Sequence, residues 1–303
     1  MSIEKRNLSC APVIIDVAIN GVRPRSMNSN IPQTPEEIAE EAIRCFDEGA
    51  SIVHAHNRDY ALTGREAADD YLKTWRAVLS QRPDVLWYPT LVTEPDRQRS
   101  GVEHVEILAA EIGLRIGCID PGSVNFGSRL VEGIPTGFIN GTSPERIRRQ
   151  FATYQRLGLG AAIGIYEPGF LRTAMAYYRA GRITKGSSIN LYFLGDYGLV
   201  ASEPASTAGL PPYPQYLDTY LSLMQDCDLP WFVSVWGAGD VDSKPLIYRA
   251  LELGGHIQVG LELHYHPTYK PTNVELLKQV QVMAAEIGRP IATSQQAAAL
   301  LGL

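Results

Sequence analysis

Residues 49–59 read Gly49-Ala-Ser-Ile-Val-His54-Ala-His56-Asn-Arg-Asp59. A glycine stop is followed by a short apolar run of strand character, which ends in two histidines one residue apart. Just upstream, Thr34-Pro35-Glu36-Glu37 has the marks of a helix start. Thr34 is an N-cap, Pro35 opens the first turn, and two acids lie at the positive end of the dipole. The pair therefore reads as a helix over about 34–48, closed by Gly49, and then a buried strand. Side chains alternate along a strand, so His54 and His56 project together from its C-terminal end.

The same unit repeats outward in both directions. Strands are expected at Val13–Ile19, Val85–Val92, Ile116–Ile119, Ala161–Ile165, Ile189–Leu194, Trp231–Val235 and His256–Val259. Helices are expected at Ala67–Ser80, Val102–Ile112, from Ser143, at Phe170–Ala180, after Pro212, and at Pro245–Leu253 and Asn273–Ile287. A tail helix follows near 294–303. The segment Asp120–Gly127 reads as a loop, and Gly195–Pro212 as a long Gly/Ser/Pro-rich loop of the kind that forms lids. Eight strand–helix units without a charged linker or internal repeat predict one α/β domain over 1–303. That domain is a (β/α)8 barrel with a short N-terminal tail at about 1–10. A doubly wound sheet is the competitor, but Asn20-Gly-Val-Arg-Pro is not a Gly-rich phosphate turn.

A formal net charge of -6 leaves no basic stripe for nucleic acid. Arg146-Ile-Arg148-Arg149 reads as a solvated helix face. Cys10, Cys45, Cys118 and Cys227 are scattered, with no Cys-x-x-Cys, which suits a reducing compartment. With no apolar signal core and no apolar run near about 18 residues, a soluble cytoplasmic protein without membrane contact is expected.

Barrel enzymes carry their chemistry at the C-terminal strand ends. Those ends are Asn20, His54 and His56, Thr90, Asp120 with Asn125, Glu167, Asp196, Trp236 and Glu262. Strand eight neighbours strand one and strand one neighbours strand two, so Glu262 can reach an ion held by His54 and His56. Two histidines and one carboxylate make a catalytic metal site, suited to zinc and acceptable to iron or manganese. Asp59 or Asp196 are alternative third ligands, and Asp59 could instead orient a histidine. Arg23 and Arg25 could meet an anionic group or a CoA phosphate, or pair with surface acids. Gly237, Gly239 and the turn at Gly254-Gly255 are expected near the region after strands seven and eight, where barrels often bind phosphate.

Several of these stretches resemble the β-keto acid cleavage enzymes, of the 3-keto-5-aminohexanoate cleavage type. They are Thr34–Ala42 with Gly49–Asp59, Gly122-Ser-Val-Asn-Phe-Gly127, Leu191-Tyr-Phe193, Gly209-Leu-Pro-Pro212, Gly254–Glu262 and Arg289–Thr293. The resemblance spans nearly the whole chain. It implies a zinc-dependent barrel, a homo-oligomer (dimer or tetramer), that condenses a β-keto acid with acetyl-CoA to give acetoacetate and an acyl-CoA. His54, His56 and Glu262 match the zinc ligands. Gln258 and Leu263 stand where the family carries an Arg and an Asp assigned to proton transfer, and neither can exchange a proton at neutral pH. Pro89-Thr-Leu-Val92 and Asp120-Pro-Gly122 also depart from the family pattern. Three outcomes follow: the chemistry is retained with a base relocated to His264, His266, Asp120 or Glu167; the metal serves another carbonyl cleavage or hydrolysis without acetyl-CoA; or the protein binds a ligand without turnover.

Overall fold

In the computed structural model, which describes residues 11–92, 100–201 and 203–303, eight parallel strands form one sheet. They are β1 (Ile15–Ala18), β2 (Ile52–Ala55), β3 (Leu86–Pro89), β4 (Ile116–Ile119), β7 (Gly160–Ile165), β8 (Ser188–Leu194), β9 (Trp231–Trp236) and β10 (His256–Val259). Between β4 and β7 lies an antiparallel hairpin, β5 (Ser123–Val131) with β6 (Ile134–Gly141). The hydrogen-bonded order is β3-β2-β1-β10-β9-β8-β7-β4. The end strands β3 and β4 lie against each other, where Cys118 Sγ is 3.3 Å from the Pro89 carbonyl. The result is a nearly closed (β/α)8 barrel.

The helices are α1 (Pro35–Asp47), α2 (Gly64–Gln81), α3 (Glu103–Ile112), α4 (Pro144–Leu157), α5 (Pro168–Arg179), α6 (Pro214–Leu223), α7 (Lys244–Glu252), α8 (Asn273–Glu286) and α9 (Ser294–Leu301). Local chemistry explains their ends. Thr34 and Glu37 form a reciprocal capping box, as do Thr272 with Glu275 and Thr293 with Gln296. Ser143 accepts from the Arg146 N–H at the head of α4. None of the helices among the described residues is long and apolar enough to cross a membrane.

Two apolar layers hold the barrel. Outside the sheet, helix faces pack on the outward strand residues, with Trp75 of α2 stacked on Trp87 of β3 at 3.8 Å. Inside, Ile14, Ile52, Leu86, Ile116, Ala162 and Phe232 fill the N-terminal half. Helix α9 plugs that end with Ala297, Ala298 and Leu301, and Ser51 ties it down by donating to the Ala292 carbonyl at 2.6 Å.

The hairpin is the element the sequence does not reveal: Asp120–Gly127 reads as a loop, and the next element expected is the helix from Ser143. β6 has no buried residue, and β5 buries only Val124, Phe126 and Gly127, so the apolar alternation is too short to mark a strand pair. The one usable signal is Glu132-Gly133, a turn in which both residues have positive φ, 52° and 79°. The hairpin supports the long loop after β8: Glu203 accepts from the Leu130 N–H at 2.9 Å, and Thr207 donates to the Asn125 carbonyl.

Two buried histidines outside the barrel mouth set an acid limit on the fold. His256 Nδ1 accepts from the Ile14 N–H at 3.1 Å, and burial together with nearby Arg289 lowers its pKa to about 3. His104 Nε2 faces the Thr90 carbonyl at 2.9 Å, and burial lowers its pKa to about 4. An unfolded histidine takes a proton near pH 6.5, so this stability is present above that pH and is lost as pH falls toward 4. Urea unfolding between pH 7.5 and 5 is expected to show stability falling, by up to about 1.4 kcal/mol per pH unit for each histidine. His256→Gln is expected to flatten that slope.

Candidate metal centre

His54 lies on β2 in register with Ala18 of β1 and Tyr88 of β3, and it points into the barrel. Its Nδ1 faces the Tyr88 carbonyl at 3.1 Å, and its ring stacks on the Tyr88 ring at 4.4 Å. With Nδ1 donating to that carbonyl, Nε2 is left as a lone-pair donor. His56 lies just past the strand end. Asn20 grips its backbone from both sides, accepting its N–H and donating to its carbonyl, each at 2.8 Å. The asparagine thus continues the β1–β2 ladder beyond the last strand residues and fixes where the His56 ring emerges.

Glu262 arrives by a different route. Beyond β10 the chain folds into a turn in which Leu263 and His264 both donate to the Gly260 carbonyl. Glu262 donates its N–H to the Ala18 carbonyl, which seats the turn on the end of β1. A Cβ at Gly21 would lie 2.3 Å from Glu262 Cγ, so only glycine leaves room for this side chain, and Gly21 has the φ of +58° that glycine tolerates. Gly21 is itself held through its carbonyl by Tyr60 at 2.7 Å and by Arg58.

The three side chains meet. Glu262 Oε1 is 3.0 Å from His56 Nε2, and Oε2 is 3.3 Å from His54 Nε2, with all three residues buried. One ligand atom from each lies within 4.8 Å of the others. Both His56 ring nitrogens and Glu262 Oε2 are buried without a well-aligned hydrogen-bond partner. Burial lowers the His54 pKa to about 4, so its imidazole is neutral. Burial pushes the Glu262 carboxyl up, but the two histidines outweigh it and hold the pKa below its usual value. Two imidazoles, a carboxylate and unsatisfied polar atoms aimed at one point fit a divalent metal of the zinc, iron or manganese type.

Below the triad lies a polar ring. Tyr88 donates to Asp16 Oδ2 at 2.6 Å, while Gln258 Nε2 is 3.0 Å from the same oxygen and 2.8 Å from the Tyr88 hydroxyl. Ser234 donates to Gln258 Oε1 at 2.7 Å. Gln258 is therefore committed to structure, and Leu263 is buried among apolar groups. Asp16 Oδ1 has no partner, and burial raises this acid's pKa to about 7. Sequence reading missed Asp16 and Tyr88. An aspartate inside Val13-Ile-Ile-Asp-Val-Ala was the available signal, because a charge in an apolar strand needs a partner.

The remaining candidates scatter. Asp120 faces the barrel mouth from the end of β4, over Gly164 and beside Tyr192. Glu167 accepts the Gly209 N–H at 3.0 Å and anchors the loop after β8. His264 lies with Glu262 in the turn after β10 rather than on a strand. It sits against Tyr269 in a cavity of about 260 Å³ bounded by α7 and α8. His266 pairs with Asp240 at 2.8 Å. Asp59 and Asp196 are exposed and outside the metal cluster, and Asp59 instead caps a turn through the Ala61 N–H. Arg25 pairs with Glu37 at 2.6 Å, whereas Arg23 is buried and donates to the carbonyls of Gly198 and Ala201. Gly237 and Gly239 donate to the carbonyls of Leu263 and Tyr265, joining the loops after β9 and β10. Gly255 lies at the opposite rim, before β10, where a Cβ would be 2.3 Å from the Trp231 ring and where its carbonyl accepts from Arg289. That position serves packing at the barrel floor, away from the triad.

Comparison with known proteins places this geometry. The family described as beta-keto acid cleavage enzyme matches residues 12–303. A 3-oxoadipate:acetyl-CoA acetyltransferase of Cupriavidus necator is 28% identical over 298 residues, covering 96% of this chain and 95% of that protein. A 3-keto-5-aminohexanoate cleavage enzyme of Fusobacterium nucleatum is 27% identical over 300 residues, covering 96% and 98%. Among solved structures, a ternary complex of ObcA with a C4-CoA adduct and oxalate superposes with a TM-score of 0.61 at 18% identity, over 90% of this chain and 68% of that one, a likeness of fold.

Gly21→Ala is expected to push Glu262 off its position. Metal content after zinc loading, read by elemental analysis, should fall, with affinity weakened about 10–100-fold while the circular dichroism spectrum is kept.

Proposed function

The chain belongs to the beta-keto acid cleavage enzyme family, and from that premise we propose that it is a zinc-dependent enzyme joining a β-keto acid to acetyl-CoA, with acetoacetate and an acyl-CoA as products. The observation that carries this is the buried meeting of His54, His56 and Glu262 at one point at the barrel mouth. The names of the relatives support it, one an acetyl-CoA acetyltransferase and one a keto acid cleavage enzyme. A zinc ion there would act as a Lewis acid toward the keto and carboxylate oxygens.

The protein's own groups set the conditions for that chemistry. His54 is kept neutral by burial and aimed by Tyr88, and Asn20 fixes His56. Acetyl-CoA would enter over the rim that Gly237 and Gly239 join, with Arg23 holding one wall to the loop after β8. We place the protein in the cytoplasm as a homo-oligomer, in keeping with free thiols at Cys45, Cys118 and Cys227. Cys10 lies outside the described residues.

Gln258 and Leu263, both without a titratable group, favour a second possibility: a metal-dependent cleavage or hydrolysis that does not use acetyl-CoA, or ligand binding without turnover. A panel of β-keto acids, assayed with zinc-loaded protein with and without acetyl-CoA, separates the two. Acetoacetate and acyl-CoA seen by mass spectrometry only with acetyl-CoA, and lost in His56→Ala, are the expected result. Silence across the panel from protein holding stoichiometric metal would leave the second possibility standing.

A further inference from the structure

The proposed reaction itself specifies which proton must move. Acetoacetate keeps C1 and C2 of the keto acid and gains the acetyl group. C2 must therefore lose a proton, and its electron pair must bond to the acetyl carbonyl carbon as the C–S bond breaks. The freed CoA thiolate then adds to C3, the C2–C3 bond breaks, and its electron pair returns to C2, which takes a proton back. A single base that accepts and returns one proton balances the cycle. Neither Gln258 nor Leu263 can be that base.

The described residues leave few carboxyls at the barrel mouth. Glu262 belongs to the metal triad. Asp16 lies deeper, bonded to Tyr88 and Gln258. Glu167 is engaged by the Gly209 N–H, and His264 faces Tyr269 on the flank. Asp120 differs from all of these. It ends β4, two strands from the β2 histidines in the closed order, and its carboxyl leans over β7 toward the barrel axis. Oδ1 lies 2.4 Å from the point where a Cβ on Gly164 would stand, and the Tyr192 ring edge is 3.0 Å from that same point. Glycine at 164 thus leaves the space that the carboxyl occupies. Among the described residues no group donates a hydrogen bond to the Asp120 carboxylate, and its interaction with Glu262 places it within electrostatic reach of the triad.

We propose that Asp120 is the proton-transfer group of this site, taking the C2 proton of a β-keto acid and returning it to C2 of acetoacetate. This rests on the reading of the metal site given above. Burial, with the Glu262 charge adding to it, raises the Asp120 pKa to about 7, which suits a group that must both take and give a proton near neutrality. The groups around it leave that titration distinct. Glu262, from the turn after β10, is held as a carboxylate, while Tyr192 of β8, Tyr166 after β7 and Cys118 of β4 are all pushed well above their usual values by burial.

The test follows the C2 protons of acetoacetate by NMR in deuterium oxide with zinc-loaded protein and no acetyl-CoA, which makes it independent of acyl-CoA formation. Wild type is expected to accelerate their loss above the protein-free rate, with the rate rising as pH is raised. Asp120→Asn is expected to lower that rate about a hundredfold, with metal content and acetoacetate affinity retained. Asp120→Glu should restore part of the rate and shift its pH midpoint, which removal of a merely structural side chain would not do. Exchange in Asp120→Asn within threefold of wild type would overturn the proposal, as would wild type that exchanges no faster than solvent. Should Asp120→Asn lose its metal, Asp120→Glu decides: an unshifted midpoint counts against Asp120. Exchange that depends on Asp120 without any acyl-CoA product would sink the acetyl-CoA reaction and leave this assignment intact.

Discussion

A carboxylate buried against two imidazoles is the constraint on which this barrel's mouth depends. Unpaired, the Glu262 charge would strongly oppose folding; beside His54 and His56 it stays ionised below its usual pKa. The surrounding backbone is arranged to make that meeting possible. Gly21 gives the space, the Ala18 carbonyl seats the turn, and Asn20 carries the β1–β2 pairing one step further so that His56 emerges beside His54. Arg58 and Tyr60, from the loop that follows the histidines, close the circle on the Gly21 carbonyl. Strands β1, β2 and the end of β10 therefore act as one clamp.

Beneath the clamp the charge pattern has been softened. Gln258 bridges Asp16, Tyr88 and Ser234, and among the described residues no cation faces Asp16. An acid left with only neutral partners in a buried ring rises toward neutrality, as Asp16 does. The hydroxyl that it and Gln258 hold belongs to Tyr88, whose carbonyl and ring both orient His54. Positions that could carry an ion pair here carry a hydrogen-bonded frame for the histidine.

Above the clamp, the loops after β8, β9 and β10 are joined to one another by backbone hydrogen bonds. The Gly237 and Gly239 N–H groups and the Arg23 guanidinium donate to backbone carbonyls and so fix the wall of the mouth. The hairpin β5–β6 braces the loop after β8 from the other side. Its outer residues Ile134 and Ile139 remain exposed.

The order of elements was legible from local chemistry alone. Capping residues such as Thr34 and Ser143, glycine stops and apolar runs act within a few residues, so helices and barrel strands could be read directly. Strand parity paired His54 with His56, and barrel adjacency brought Glu262 to them. Parity could not place His264, because the chain leaves the strand at Gly260 and alternation holds only while a ladder imposes it. Gly255 was equally unreadable as to rim, since a glycine's neighbours are set by what packs on it, here Trp231. The hairpin carries too short an apolar period to be read, because only Val124 and Phe126 of its apolar side chains reach the core. Asp16, Tyr88, Gly21 and Gly164 are far from the triad in sequence and gain their roles only from register across the barrel. The sequence by itself determined the helices, the strands and the residue types able to hold an ion. Tertiary structure alone decided how the acids at the mouth titrate, because burial and like-charge proximity exist only once the strands have closed.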